Sequence, residues 1–188
     1  MKKNNMEDKK ERKNKLRVLL PLLLLAGAAL SYGIWRLAGH LCEQGGLILR
    51  NWVSYTLLSA TFLCLVTGVI LLILLIRVKV LKVFLIVLTT LLIGVASFYL
   101  FILGVFAHKP EHVVERDGGK FVAVVSAWLK TSVGYYEYEN VFSYKKKVRI
   151  IEYYGDGASD PLENGYDKRP EPLSTQWFEY DDEGNRVY

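Results

Sequence analysis

The sequence predicts an α+β membrane protein, with three transmembrane helices followed by a small antiparallel β-sheet extracytoplasmic domain. Three observations carry that expectation. Apolar runs fill 18–38, 56–76 and 83–106, each past the roughly 18 residues at which a bilayer span explains such a run better than a buried core helix. The apolar character stops at Ala107. Beyond it, short alternating segments rich in Val, Ile and Tyr are separated by Gly, Asn and Asp clusters, the pattern of strands and turns.

The organisation expected is a basic cytoplasmic tail 1–17, spans 18–38, 56–76 and 83–106, an outer loop 39–55, a basic cytoplasmic loop 77–82, a junction 107–111 and an extracytoplasmic β-domain 112–188. Charge sets the direction. The tail holds eight basic residues against three acidic ones, and Arg77, Lys79 and Lys82 lie in the second link. Segments rich in Lys and Arg next to spans stay in the cytoplasm. Three crossings then leave the C-terminal part outside, where 107–188 carries eleven basic and fifteen acidic residues, a net of −4. Trp35, Trp52 and Tyr55 fall at the outer boundary, where amphipathic rings collect. A rival reading takes the leucine-rich start and Ala26-Gly27-Ala28 as a cleaved signal peptide. The apolar run continues past that triplet through Leu30, Ile34 and Trp35, longer than a signal core.

Cys42 and Cys64 are the only cysteines, and no Asn-x-Ser/Thr acceptor occurs. A disulfide-free, unglycosylated outer domain points to the plasma membrane of a bacterial cell.

Within the spans, no Asp, Glu, Lys, Arg or His occurs at 18–35, 56–76 or 83–106. Ion-coupled carriers and proton pumps place such groups there, so transport by this chain alone is disfavoured. Small residues recur instead at helical spacing: Ala29 and Gly33, then Ala60, Cys64 and Gly68, then Thr90, Gly94 and Ser97. Small residues let helix backbones approach closely. They pack the three helices together or dock another membrane helix. The expected partners are therefore the lipid bilayer and a membrane or envelope protein, or a second copy of the chain. The basic tail could attract anionic lipid or nucleic acid, but it has no aromatic residue to stack a base and no periodic apolar face, so no nucleic-acid partner is expected and the tail serves to fix orientation.

The outer part reads as a sheet of five or six strands. Segments 112–116 and 120–129 flank Asp117-Gly118-Gly119, and the second alternates so cleanly that it is the expected central strand. Segments 132–142 and 147–154 form a second expected hairpin, turning at Lys145 and Lys146. A loop at 155–173 carries Pro161, Pro170 and Pro172. Segments 174–180 and 186–188 bracket a polar turn at 181–185.

No motif for catalysis or for a cofactor emerges. His40, His108, His112 and Cys42 offer metal-binding side chains, but Pro110 spoils the one-turn spacing of His108 and His112. Asp156, Asp160, Glu163 and Asp167 invite calcium, yet an EF-hand loop from Asp156 would put Pro161 at the turn glycine. The bias with binding potential is aromatic: Trp128, Tyr135, Tyr136, Tyr138, Tyr153, Tyr154 and Trp177. Such rings give large contact area with a polar handle. The expectation is a non-enzymatic binding, sensing or accessory module without cofactor or metal. The alternative is a non-catalytic subunit of a transport or envelope-maintenance complex that docks through its helices.

Overall fold

The computed structural model describes residues 2–107, 109–157, 159–181 and 185–187, with side chains from Lys15 onward except at 103 and 105–107. Element order is α1 (Lys2–Gln44), β1 (Leu47–Leu49), α2 (Asn51–Leu75), α3 (Lys79–Ala107), β2 (Glu111–Arg116), β3 (Gly119–Ala127), β4 (Lys130–Tyr138), β5 (Ser143–Asp156), a 3-10 turn (Tyr166–Lys168) and β6 (Ser174–Trp177). The chain forms two compact units, Met1–Leu37 with Tyr55–Ile102, and Ala38–Ser54 with Leu103–Tyr188.

The first unit is helical. Lys15–Gln44, Asn51–Leu75 and Lys79–Ile102 are long and apolar enough to cross a membrane. Helix α1 meets α2 along Pro21 and Ala28, both buried, and Ser31, whose hydroxyl donates to the Leu57 carbonyl at 2.9 Å. Pro21 sits inside α1. A proline there lacks a helical N–H, a loss that spanning helices tolerate when neighbours compensate. On α2, Ile73 is buried; Ile70, Ile73 and Leu74 face Ile86, Thr89 and Ile93 of α3 across an apolar cleft. Lys82 Nζ donates to the Leu74 carbonyl at 3.0 Å, satisfying one of the carbonyls left open at a helix C-terminus.

Of the small residues singled out, Gly68 is buried and Cys64 half-buried. Ala29, Gly33, Ala60, Gly94 and Ser97 are exposed, and Thr90, also exposed, lines the cleft between α2 and α3. The half-buried stripe on α3 is Lys82, Leu85, Thr89, Ile93 and Ala96, one position out of step with 90, 94 and 97, which turns the small residues about 100° away. Larger side chains fill these interhelical grooves instead. Only at Gly68 is close approach required: a Cβ there would lie 3.1 Å from Leu25 Cγ and 3.3 Å from the Pro21 carbonyl oxygen. The Gly68→Leu variant is expected to lose about 1–3 kcal/mol through overpacking, read as a lower Tm of the detergent-solubilised protein than for Gly94→Leu.

The second unit is a six-stranded antiparallel sheet in the order β1-β5-β4-β3-β2, with β6 also on β5. Strand β4 takes the middle of that path. Strand β3 is interior and covered on both faces at Val122 and Ala123, each fully buried. Asp117 and Gly118, with φ of 48° and 77°, make the β2–β3 turn, the left-handed geometry that two-residue hairpins need. Register shifts at Thr131/Ser132 and between Tyr135 and Tyr138 interrupt the β4–β5 ladder, bending the long β5 and curling the sheet. The inner face buries Val114, Ala123, Val125, Val133, Tyr135 and Ile150. Leu162 closes it from the loop after β5.

Two expectations are corrected. Lys145 and Lys146 lie within β5, and the reversal comes at 139–142, where Asn140 Oδ1 accepts from the Phe142 and Ser143 N–H groups at 2.8 and 2.9 Å. Asparagine side chains form such turns locally, outweighing the weaker turn signal of two lysines. The expected outer loop 39–55 is largely ordered structure: α1 runs on to Gln44, and Leu47–Leu49 pairs with Ser143–Lys145 as an edge strand. The link is clamped by Glu111, whose carboxylate accepts from Arg50 Nε at 3.2 Å and from the Asn51 N–H at 3.1 Å. That N–H belongs to the first turn of α2, so the carboxylate also meets the positive end of the helix dipole. The expected turn at 181–185 falls mostly outside the described residues; Tyr180 and Arg186 form one antiparallel bridge.

Candidate functional site

Strand alternation brings Arg116, Tyr135, Glu152 and Tyr154 to the inner face. There Glu152, 1% exposed, accepts from Tyr135 Oη at 2.6 Å, Tyr154 Oη at 2.7 Å and Arg116 Nη1 at 2.7 Å. The Arg116 guanidinium stacks between Tyr135 and Trp177, 5.3 and 4.9 Å from the ring centroids. Arg169 enters from the loop, 3.8 Å over Tyr166, with its Nε 3.6 Å from Glu152 Oε2. Burial pushes the Glu152 carboxyl up, but donation from Tyr135, Tyr154 and Arg116 outweighs it and holds the carboxyl below its ordinary range. The tyrosines shift the other way. Burial and the hydrogen bond to Glu152 raise Tyr135, and the same two causes push Tyr154 up to about 12. Burial alone is the main cause at Tyr144.

A raised tyrosine pKa stabilises the fold below the unfolded value near about 10, and that contribution fades as pH climbs through the folded value. Absorbance titration should therefore show Tyr135, Tyr144 and Tyr154 ionising late and together with loss of near-UV circular dichroism. Ordinary ionisation of all tyrosines without unfolding would contradict this. Chemically, the cluster pairs the buried Glu152 carboxylate with the Arg116 guanidinium and surrounds it with hydrogen-bond donors.

The aromatic residues expected to share a surface are dispersed. Tyr135 is fully buried and leaves the surface altogether, because the parity that exposes its neighbours turns it inward. Tyr154 is tied to Glu152. Tyr136 and Tyr138 take the opposite face from Tyr135, half-buried; Tyr136 packs on Tyr144 at 5.2 Å and Lys120 Nζ lies 4.4 Å over Tyr138. Tyr153 is half-buried. Trp128 and Trp177 are exposed.

Trp128 belongs to a group that sequence reading missed. Trp128, Leu129 and Leu173 are 54%, 76% and 77% exposed, and the sheet gathers them at one end. The β3–β4 turn carries the first two. Leu173 lies over Gly155, which pairs with Thr131 at the start of β4. Thr131 Oγ1 donates to the Gly157 carbonyl at 2.6 Å, fixing the loop to that end. The Leu173 N–H donates to the Tyr153 carbonyl at 2.7 Å, so the leucine is held out by ordered backbone.

No protein-family model, curated protein or solved structure matches the chain.

The polar candidates are engaged elsewhere. His112 Nε2 lies 2.7 Å from Asp160 Oδ2, and Asp160 Oδ1 accepts from the Leu162 N–H at 2.8 Å, pinning the loop to β2. His40 Nε2 lies 3.0 Å from Gln44 Nε2. His108 lies outside the described residues. Among the described residues no three His, Cys, Asp or Glu side chains converge as metal ligands do. The signal that could have found Glu152 is a lone carboxylate in the apolar alternation from Val148 to Tyr154. Nothing in the sequence links Leu129 to Leu173, which the sheet places at the same end, by the Thr131–Gly155 pair.

Proposed function

We propose that this chain is a membrane-anchored, non-catalytic binding module. Its three spans run from a cytoplasmic N-terminus across the plasma membrane of a bacterial cell, and its sheet unit stands outside. There it presents Trp128, Leu129 and Leu173 to another envelope protein. The observation that carries this reading is the exposed apolar cluster at the β3–β4 end of the sheet. Monomeric soluble surfaces seldom hold several large apolar side chains together without a partner, and a tryptophan flanked by leucines is the anchor type found at interface centres. The orientation is supported by the basic tail and by the basic link 77–82.

A single-cysteine protein, Leu129→Cys on a Cys42→Ser and Cys64→Ala background, tests the reading with a membrane-impermeant thiol photocrosslinker on intact cells. The expected outcome is labelling, with one discrete crosslinked partner that fades severalfold when Leu173 becomes Asp. No labelling of intact cells, or a crosslink indifferent to Leu173→Asp, would count against it. The second reading, docking through the helices, draws on Ala29, Gly33, Ala60, Gly94 and Ser97, whose exposure leaves them available to another membrane helix. Partner capture abolished by Gly94→Leu and untouched by Leu173→Asp would favour it.

A further inference from the structure

The turn between β4 and β5 is built from polar signals yet displays two large apolar side chains. Val141 and Phe142 are 54% and 57% exposed. They are held rigidly: Asn140 Oδ1 takes the Phe142 N–H, the Phe142 carbonyl accepts from the Arg50 N–H at 2.8 Å, and the Val141 carbonyl accepts from Trp52 Nε1 at 3.3 Å. The Trp52 and Phe142 rings lie 5.8 Å apart, tilted by 37°. A fixed display of this kind costs apolar exposure in water and makes sense where water is replaced by something else.

Trp52 says by what. It occupies the first turn of α2, and the uncharged run 56–76 follows it directly. At 1.5 Å of rise per residue, Thr56 stands only about 6 Å further along the helix axis than Trp52. If α2 spans the bilayer, Trp52 sits in the interfacial layer, where tryptophan is enriched, and Phe142 sits within one ring's width of it. Exposed Lys146 follows four residues later on β5, a basic side chain of the kind attracted to anionic lipid. We infer that the β4–β5 turn is a second lipid anchor, seating Val141 and Phe142 beside Trp52 in the outer interfacial layer of the membrane. This rests on the membrane-anchored reading proposed above. It adds that the sheet unit meets the bilayer through this turn as well as through its covalent links to the helices; the apolar cluster of Trp128 and Leu129 lies at the opposite end of β4, nine residues and about 30 Å away.

The full-length protein on the Cys42→Ser and Cys64→Ala background, reconstituted in vesicles of zwitterionic and anionic phospholipid, tests this by depth-dependent quenching. A fluorophore is placed in turn at Val141→Cys, Leu129→Cys and Ser97→Cys, with nitroxide lipids carrying the spin label shallow or deep. Expected is strong quenching by shallow nitroxide at 141, severalfold above that at 129, and loss of most of it when Phe142 becomes Asp. Equal, weak quenching at 141 and 129 with strong deep quenching at 97 would overturn the anchor and leave the spans standing. Indifference of the 141 signal to Phe142→Asp would also overturn it. Absence of quenching at 97 as well as 141 would remove the membrane reading and the anchor with it.

Discussion

Replacing Glu152 with alanine is expected to destabilise the sheet unit by about 3–5 kcal/mol, the usual cost of removing one partner from a buried charge network. Arg116, with its side chain 13% exposed, would lose its main carboxylate, and the fully buried Tyr135 hydroxyl would lose its acceptor. Against a total stability of about 5–15 kcal/mol for a domain, such a loss should raise amide hydrogen exchange across β4 and β5 nearly to the unfolded rate. Glu152→Gln keeps an acceptor but not the charge and should fall between. The pH dependence follows from the depressed carboxyl pKa. A group whose folded pKa lies below its unfolded value contributes fully above the latter, about 4.3 for Glu, and loses that contribution as pH falls through the folded value. Denaturant midpoints of the native protein should therefore drop on acidification below that point. In Glu152→Gln part of the drop should vanish, leaving the part due to Glu137, whose carboxyl Lys145 and Arg149 also hold below its ordinary range. Parallel curves for the two proteins would refute this account of the cluster.

Glu111→Ala is the second large effect. The Glu111 and Arg50 side chains are 5% and 12% exposed, so breaking the pair leaves a mostly buried guanidinium and strips the first N–H of α2 of its acceptor. A loss of about 3 kcal/mol or more is expected. The consequence should be local. Hydrogen exchange should rise at Leu47–Leu49 and its partners Ser143–Lys145, with β2–β3 less affected. A uniform rise throughout the sheet would show that the clamp is part of the global core instead. The same geometry explains why a fragment beginning near residue 111 would lack β1, Arg50 and Asn51, and so expose the first half of β5 as an unpaired edge.

Much of this architecture was legible in the chain. Apolar length fixed three helices because a run of uncharged residues leaves few alternatives, and the turn at Asp117-Gly118 was readable because few residues adopt positive φ at low cost. Alternation along β4 alone separates Tyr135 from Tyr136 and Tyr138. The small-residue faces were not legible in the same way. Spacing places Thr90, Gly94 and Ser97 on one side of a helix, but which side meets a neighbour depends on how larger side chains such as Thr89 and Ile93 interdigitate.

The sequence by itself determined what each residue must do locally: lie in a helix, alternate in a strand, turn at a glycine, carry charge toward water. Tertiary structure decided the pairings made over long separations, whose partners no local pattern encodes. Leu47–Leu49 looked like loop because three residues carry too little periodicity to signal a strand, and became one only because β5 offered an unpaired edge. Glu152 read as one carboxylate among many until three strands and a loop delivered Arg116, Tyr135, Tyr154 and Arg169 around it. The clusters that matter most, Trp128 with Leu129 and Leu173, and Trp52 with Phe142, arise the same way. Their members are drawn together by backbone hydrogen bonding across the sheet and its flanking links, and hydrogen-bonded register is a property of the whole fold.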